Sequence, residues 1–178
     1  MTAFVFVDTS LLIHARDPRD AAKRAAAMEW LRLLWNEERG RTSVQVLNEY
    51  YDVTTRRFRS PIRREDAWDD VQFYLSAWNP QPIDREVIEC AHDVEGRYRL
   101  TWPDCLVVAA AQVQRCVLLL SEDLEDGAEY AGVIVRNPFT LRIAEEAGVY
   151  APPQRAISRH RGRGRPRRNP ARTESASG

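Results

Sequence analysis

Four acidic residues stand where their carboxylates could act together on one metal ion. Asp8 directly follows the apolar run of residues 4–7, and Asp123 lies three residues beyond the apolar run of residues 117–120. In an open parallel sheet, ligands bind beyond the carboxyl ends of the strands. Asp104 begins a predicted buried helix, and Glu49 lies in the second turn of a predicted capped helix. We expect the four carboxylates to meet at that edge of one sheet.

Such a cluster predicts chemistry that depends on a divalent cation. Neighbouring carboxylates cannot all stay ionised without a counter-charge, so their pKa values rise together. Mg²⁺ relieves this because it binds oxygen ligands, and the lack of a nearby His or Cys favours Mg²⁺ or Mn²⁺ over zinc. A bound ion acidifies a water that attacks phosphorus and neutralises charge on a phosphodiester. Phosphodiester hydrolysis is therefore the predicted reaction.

The structural alternatives differ in weight among the four acids. Asp8, Asp104 and Asp123 also suit a turn, a helix N-cap and a loop, where Asp is common. Glu49 is harder to dismiss, because Tyr50 and other apolar neighbours predict a helix that is apolar around much of its circumference. A carboxylate buried there needs a partner.

The elements that position these acids alternate along the chain. Apolar runs predict strands at 4–7, 117–120 and 133–135, and helical periodicity covers about 20–38, 64–78 and 84–98. A further helix follows residue 42, and residues 106–113 predict a helix buried on most sides. Alternation of this kind favours an α/β fold with a parallel sheet and helices on both faces.

Local signals predict where two of these helices begin. Asp17 and Pro18 suit an N-cap and first position for the 20–38 helix, and Gly40 is placed to end it. Thr42 and Gln45 have the spacing of a capping box for the next helix. The predicted core face of the 20–38 helix consists of Ala21, Ala25, Met28, Leu31 and Trp35.

Composition excludes several other classes of protein. No apolar run approaches the ~20 residues that span a bilayer, and the N-terminus lacks the basic segment of a signal peptide. We therefore expect a cytoplasmic protein with no membrane partner. Cys90, Cys105 and Cys116 form no CxxC pair, so neither a zinc site nor a disulfide framework is indicated.

A net charge of zero conceals a division along the chain. Residues 1–150 hold 18 Lys and Arg against 25 Asp and Glu, whereas residues 151–178 hold eight Arg against Glu174 alone. The last segment is rich in Pro, Gly and Ser and has one large aliphatic residue, Ile157. We predict a globular domain over residues 1–147 and a disordered tail over 148–178.

Four short segments hold the acids of the predicted cluster. They are Val7-Asp8-Thr9-Ser10, Val46-Leu47-Asn48-Glu49-Tyr50, Trp102-Pro103-Asp104-Cys105-Leu106 and Leu120-Ser121-Glu122-Asp123. In this order and spacing the segments resemble the motifs of PIN-domain nucleases, and most closely those of the VapC-type toxins of toxin–antitoxin pairs. The resemblance spans roughly residues 3–145, and its later part, from Ser121 to Gly127 and then Val135 to Phe139, is similar to a form common in that subgroup.

The resemblance implies a three-layer α/β/α sandwich with a central parallel sheet of about five strands. It also implies a Mg²⁺- or Mn²⁺-dependent endoribonuclease that cleaves RNA, forms homodimers and is inhibited by a small antitoxin. By motif, the acidic quartet consists of Asp8, Glu49, Asp104 and Asp123.

The resemblance also assigns roles within the quartet and beside it. Asp8 and Asp104, with Asp123, are the implied metal ligands, while Glu49 binds through water or orients the attacking water. The hydroxyls of Thr9 and Ser121 would position neighbouring carboxylates or a phosphate oxygen. Asp126 is either a fifth acid or simply part of its Asp-Gly turn.

Two other functions are weighed against nuclease activity. In a phosphoacceptor domain Asp8 would be phosphorylated. A dehalogenase-like phosphatase needs a second Asp two residues after the first, where Ser10 stands. A receiver domain needs a lysine late in the chain, whereas the only lysine is Lys23. A non-catalytic RNA-binding module would instead use the arginines between Arg155 and Arg172. Such binding would weaken with salt but survive loss of Asp8.

The three histidines support no hydrolase triad. His14 and His92 lie on predicted helical segments and His160 in the predicted tail, with no Ser or Cys nucleophile motif nearby. A structural or solvent-facing role is expected for each.

Overall fold

The computed structural model describes residues 3–59 and 61–141. The strands are β1 (Phe4–Val7), β2 (Gly40–Arg41), β3 (Cys116–Leu120), β4 (Glu129–Tyr130) and β5 (Val133–Arg136). The α-helices are α1 (Thr9–Arg16), α2 (Ala21–Asn36), α3 (Val44–Asp52), α4 (Arg64–Ala77), α5 (Arg85–Tyr98) and α6 (Trp102–Val113). A π-helical segment, Val53–Arg57, continues directly from α3.

The described strands form one five-stranded sheet in the order β2-β1-β3-β5-β4, flanked by helices. β1 pairs in parallel with β2 and β3, and β3 pairs in parallel with β5. The predicted α/β/α fold with about five strands is confirmed, but β4 runs antiparallel to β5. The connection explains this difference: Ala131 and Gly132 have φ values of 52° and 84°. Two successive positive φ angles make a tight hairpin turn.

The two central strands are apolar because both of their faces are covered. Val5, Phe6 and Val7 of β1 are buried, as are the last three residues of β3, Leu118 to Leu120. Parallel strands covered on both faces read as continuous apolar runs rather than alternating ones. Seven consecutive residues of α6, Cys105 to Ala111, are also buried, as the sequence predicted.

Both predicted helix caps are wrong by one or a few residues. The N-cap of α2 is Asp20, whose side chain accepts from the backbone N–H of Lys23, whereas Asp17 ends α1. The N-cap of α3 is Ser43 rather than Thr42. The Thr42 hydroxyl donates instead to the carbonyl oxygen of Val7 (3.0 Å), which ties β1 to the end of β2.

The core face of α2 also differs from the prediction. Ala27, Trp30 and Leu34 are buried, whereas Met28 and Trp35 are about half exposed, at 53% and 47%. Both stripes have helical spacing, and burial of Trp30 is favoured because its Nε1–H donates to the Pro138 carbonyl (3.1 Å). Met28 and Trp35 line an open groove instead.

Gly40 does not end α2 but begins β2. The helix ends at Asn36, and Glu38 supplies the left-handed turn with φ of 55°. A Cβ atom on Gly40 would lie 2.4 Å from the buried ring of Trp78. The glycine is needed because the Trp78 ring occupies that space.

The predicted tail, residues 148–178, and its boundary at residue 147 lie outside the described residues. Within residues 3–59 and 61–141, no helix is long and apolar enough to cross a membrane. The three cysteines are free thiols, as expected.

Candidate active site

Asp8 is buried at the junction of β1 and α1. It is the N-cap of α1, and its Oδ1 accepts from the backbone N–H of Thr9 (2.7 Å). Its Oδ2 accepts from the hydroxyl of Ser121 (2.6 Å), and only 8% of the residue is exposed. The carboxylate is therefore held at both oxygens.

Ser121 connects the ends of the two central strands. It directly follows β3, and its fully buried Oγ donates to Asp8 and accepts from the backbone N–H of Asp123 (3.2 Å). The backbone N–H of Asp8 in turn donates to the Leu120 carbonyl (3.1 Å). The structure thus places Asp8 and Ser121 together at the carboxyl edge of β1 and β3.

Glu49 reaches this edge from α3 through a hydroxyl. The Thr9 Oγ1–H donates to Glu49 Oε2 (2.9 Å). Thr9 therefore contacts two of the acids, Asp8 through its backbone N–H and Glu49 through its hydroxyl. The expectation that Glu49 is buried is wrong, because α3 buries Val46, Leu47 and Tyr50 and leaves Glu49 exposed. The apolar part of α3 is a stripe, not its whole circumference.

Asp104 lies in the first turn of α6. The helix begins at Trp102 with Thr101 as its N-cap, two residues before the predicted start at Asp104. The Thr101 hydroxyl donates to Asp104 Oδ2 (2.5 Å), and Asp104 is half-buried. Pro103 suits a first-turn position because it has no N–H to leave unpaired. Asp104 is therefore the third residue of the helix and not its first residue or its N-cap.

Asp123 is exposed in the loop after β3, but its environment is acidic. Partial loss of hydration raises the pKa of Asp123, and the charges of Glu122 and Asp104 raise it further. His14 and Lys23 act in the opposite direction on the same carboxyl. Asp123 therefore lies within electrostatic reach of another acid of the quartet.

Burial and neighbouring charge also act on Asp8. The pKa of Asp8 is raised from 3.8 to about 6, chiefly by desolvation and against the opposing hydrogen bonds from Ser121 and Thr9. The charges of Asp123 and Glu49 make smaller contributions to this rise. The four acids are therefore coupled electrostatically, Glu49 and Asp123 to Asp8, and Asp104 to Asp123. A bound cation would lower the pKa values of such a group.

The Asp126 carboxylate, in the loop before β4, is hydrogen-bonded to residues at the end of β5. Its Oδ1 accepts from the Arg136 guanidinium (3.1 Å) and from the backbone N–H of Asn137 (2.8 Å). Gly127 follows with φ of 83°. These bonds tie the loop to the end of β5.

Sequence reasoning missed a charged group beside the quartet, formed by Glu122, His14 and Lys23. The Glu122 carboxylate accepts from His14 Nε2 (2.9 Å) and forms an ion pair with the Lys23 ammonium. Its backbone N–H donates to Ser10 Oγ (3.2 Å). The contacts of Glu122 with His14 and Lys23 span about a hundred residues, so no local sequence pattern predicts them. The one signal in the sequence is that Lys23 is its only lysine. The group fixes the loop between Ser121 and Asp123 to α1 and α2.

The donor chemistry of the quartet suits a hard divalent cation. Among residues 3–59 and 61–141, no three His, Cys, Asp or Glu side chains stand close enough together to enclose a metal ion. The donors are nonetheless all carboxylate and hydroxyl oxygens, which Mg²⁺ and Mn²⁺ prefer. Burial and the charges of Asp123 and Glu49 both raise the pKa of Asp8, and a bound cation would oppose both effects.

The fold is a mostly parallel α/β sheet, and its candidate site is a group of acidic side chains near the carboxyl ends of the central strands. The PIN domain family model matches residues 5–130, so the chain belongs to the PIN domain family. This confirms the resemblance predicted from the four segments. No curated protein matches the sequence.

Solved structures with the same fold come from toxin–antitoxin systems. A toxin–antitoxin complex from Klebsiella pneumoniae has 20% identity and a TM-score of 0.55, covering 75% of this chain and 97% of the other. The VapC20 toxin of Mycobacterium tuberculosis, described as cleaving the sarcin-ricin loop, has 20% identity and a TM-score of 0.54, with 73% and 98% covered. DNA-bound VapBC from Salmonella typhimurium has 13% identity and a TM-score of 0.57, with 76% and 98% covered.

Proposed function

We propose that the protein is a metal-dependent endoribonuclease whose site is the quartet Asp8, Glu49, Asp104 and Asp123. The observation that carries the proposal is the setting of Asp8, which is held by two donors at the carboxyl edge of the sheet. Burial raises its pKa to about 6, and the charges of Asp123 and Glu49 act in the same direction. A structural aspartate has no need of further carboxylates nearby. PIN-family membership and the sarcin-ricin-loop cleavage ascribed to the VapC20 toxin support RNA as the substrate.

Asp8, Asp104 and Asp123 would hold the ion, which we expect to be Mg²⁺ or Mn²⁺, and their side chains would have to move closer together around it than they stand in the described structure. When bound, the ion supplies an acidified water and neutralises charge on the scissile phosphate. The protein keeps its ligand oxygens oriented: Ser121 and the Thr9 N–H fix Asp8, and Thr101 fixes Asp104.

Glu49 has a different role in this proposal. Its Oε2 accepts from Thr9, while its exposure leaves the carboxylate open to solvent. A fixed, solvated carboxylate at this edge can orient the attacking water and accept its proton. Asp126, bonded to Arg136 and Asn137, is proposed to stabilise the loop rather than to react.

The reaction is tested with a pool of cellular RNAs, Mn²⁺ and the purified chain. We expect defined fragments that vanish with EDTA and with Asp8→Asn. Cleavage that persists in EDTA, or in the variant, would contradict the mechanism. RNA binding that survives both treatments without any cleavage would instead favour the non-catalytic module that acts through the C-terminal arginines.

We further propose that the protein is the toxin of a toxin–antitoxin pair. Support comes from the toxin–antitoxin structures that share its fold and from an open groove of about 670 Å³ against α1, α2 and α4. Exposed Met28, Trp35 and Phe73 line it, with Arg24 and Arg32 at its side. An antitoxin helix with one apolar face and acidic flanks would suit this groove.

Co-purification with the product of a short adjacent reading frame tests the pairing. We expect a complex that Trp35→Glu disrupts, with a basic antitoxin residue entering the acid cluster. High expression of the active chain without any such partner and without toxicity would contradict it. The proposed homodimer is tested separately by light scattering of the purified chain.

A further inference from the structure

Five arginines stand close together at the end of the helix that carries Glu49. They occupy nine residues of the chain and are all exposed; we call them the arginine patch, Arg56, Arg57, Arg59, Arg63 and Arg64. The side chains of Arg56, Arg57 and Arg63 are 68%, 69% and 75% exposed. In a domain whose first 150 residues are acidic, this concentration of positive charge is unusual.

Hydrogen bonds and a buried ring anchor the backbone on either side of Arg56 and Arg57. The Thr54 hydroxyl is buried and donates to the Tyr50 carbonyl (2.7 Å), and the Ile62 N–H donates to the Thr54 carbonyl (3.1 Å). Phe58 is buried between the exposed arginines, with the Arg19 guanidinium 5.6 Å from its ring centre. Irregular π-helical turns of this kind occur frequently at functional sites.

Internal acids neutralise only part of the patch. Arg56 and Arg57 share one carboxylate, Asp52, at 3.0 and 2.8 Å. Arg63 pairs with Glu65 (3.5 Å), whereas in the described part of the chain Arg59 and Arg64 have no ion-pair partner. Exposed pairs of this type contribute little to stability, so the arginines are available to an external anion.

An exposed aromatic surface adjoins the patch. Trp68, on α4, is 48% exposed and packs edge-on against Tyr51 of α3, with ring centres 6.4 Å apart. Since about half of Trp68 is exposed, part of its ring is accessible to a flat ring from outside. Arginines beside such a ring form the usual combination for single-stranded nucleic acid, in which guanidinium groups contact phosphates and bases stack on the aromatic face.

Two arginines of the patch, Arg56 and Arg57, lie on the segment that continues the helix carrying Glu49. α3 continues without a break into Val53–Arg57, and Arg56 pairs with Asp52, which lies one helical turn beyond Glu49. Seven residues of helix span ~10 Å, the length of about two nucleotides.

We infer that the arginine patch with Trp68 binds the single-stranded RNA segment that flanks the scissile phosphate. This inference rests on the proposed ribonuclease function. It deepens that function by giving the substrate a direction, from the acid quartet along α3. It also predicts that the substrate has unpaired bases beside the cleavage point, since a stacked base must be unpaired.

Binding is measured apart from cleavage, by fluorescence anisotropy of a labelled 12-nucleotide unpaired RNA across a KCl series. The parent protein is the full chain with Asp8→Asn and with the eight arginines of residues 151–178 changed to Gln. Into this parent go R56Q/R57Q/R59Q, W68A or the matched control R85Q/R97Q/R99Q, whose arginines are exposed on or just after α5.

We expect R56Q/R57Q/R59Q to weaken binding at least tenfold and to lower the salt slope by about 2, at ~0.7 per lost phosphate contact. W68A should weaken binding about tenfold with an unchanged slope, because stacking releases no counterions. The control should bind like the parent. Equal losses in patch and control variants, or no loss in the patch variant, would overturn the inference.

Further outcomes separate this inference from the nuclease proposal. If the patch binds RNA as described while the wild-type chain never cleaves, the proposed reaction fails and the binding surface stands. If the wild-type chain cleaves, and R56Q/R57Q/R59Q and W68A made directly in the wild-type chain cut both unpaired and fully paired RNA at the wild-type rate, the inference fails and the reaction stands. Preferential binding of a polyglutamate peptide over RNA would also overturn it, since that identifies an acidic protein as the ligand.

Discussion

Asp8 illustrates how much of a site can follow from one buried carboxyl. Its position after an apolar strand was predictable, because a run of four apolar residues ending in Asp marks the end of a covered strand. Its partners were not: Ser121 lies 113 residues away, and only the parallel pairing of β1 and β3 makes them neighbours. Glu49 shows the opposite case, since apolar neighbours wrongly predicted its burial.

The raised pKa of Asp8 has a consequence for stability. Its folded value of about 6 exceeds the ordinary 3.8, so the protonated form stabilises the fold below pH 4 and this stabilisation is lost as pH rises through 6. Two pKa units correspond to ~3 kcal/mol. We therefore expect Asp8→Asn to raise the free energy of unfolding by about 2 kcal/mol at pH 8, with little gain at pH 4.

Urea unfolding at the two pH values measures this difference. Asp93→Asn, an exposed change on α5, serves as the control and should leave the pH dependence unchanged. An Asp8→Asn protein that is less stable than the wild type at pH 8 would show that its carboxylate is structural.

Ser121 is expected to matter for both stability and reaction. Ser121→Ala removes the donor to Asp8 and the acceptor for the Asp123 N–H, both in a buried place. Loss of such bonds costs about 1–3 kcal/mol. Because the Ser121 hydrogen bond lowers the pKa of Asp8, its loss should move the acid limb of the cleavage profile to higher pH.

A pH–rate profile of Ser121→Ala beside wild type measures the shift. Ser76→Ala, which removes an exposed hydroxyl on α4, is the matched control. An unchanged acid limb in Ser121→Ala would mean that Asp8 ionisation does not govern the rate.

At the scale of elements, long apolar runs were predictable and short or capped features were not. The continuous apolar runs of β1, β3 and α6 predict these elements from composition alone. In contrast, β2 and β4 have two residues each and no distinctive pattern. Thr42 and Ser43 are equally good N-caps in sequence, and the fold decides between them because the Thr42 hydroxyl is bonded to β1. Likewise, only packing against Trp78 explains Gly40.

Gly40 supplies the test at this scale. Gly40→Ala places a Cβ atom within 2.9 Å of three ring atoms of the buried Trp78, so the ring or β2 must shift. Overpacking of this kind costs roughly 1–3 kcal/mol, which thermal unfolding will detect. Gly96→Ala in α5 meets nothing within 4 Å and should stabilise by about 0.5–1 kcal/mol. Equal effects from both changes would contradict the close contact.

At the scale of the whole molecule, the sheet brings together acids that the chain separates. Glu49 lies on α3, and Arg56 and Arg57 of the arginine patch lie on the segment that continues it, which is why we infer that one strand of RNA contacts both. From the sequence, Asp8 and Asp123 are candidates because of their places at strand ends, and Glu49 and Asp104 because of their places on predicted helices. The sequence did not predict the patch, because its exposure and the setting of Trp68 depend on how α3 and α4 pack.

A divalent cation should stabilise the molecule as a whole. A ligand that binds only the folded state adds ~2.7 kcal/mol at a concentration one hundred times its Kd. We expect Mn²⁺ to raise the melting temperature of the wild type, and to do so far less in Asp104→Asn. Equal shifts in both proteins would indicate that the cation binds elsewhere.

The central claim is that the quartet, and no other acid, cleaves RNA. Its most direct measurement is the single-turnover cleavage rate of one labelled RNA with Mn²⁺, in wild type, Asp8→Asn, Asp104→Asn and Asp126→Asn. We predict a loss of at least a hundredfold in the two quartet variants and less than threefold in Asp126→Asn, whose carboxylate is bound to Arg136 and Asn137. Wild-type rates in Asp8→Asn or Asp104→Asn, or equal losses in all three variants, would contradict the claim.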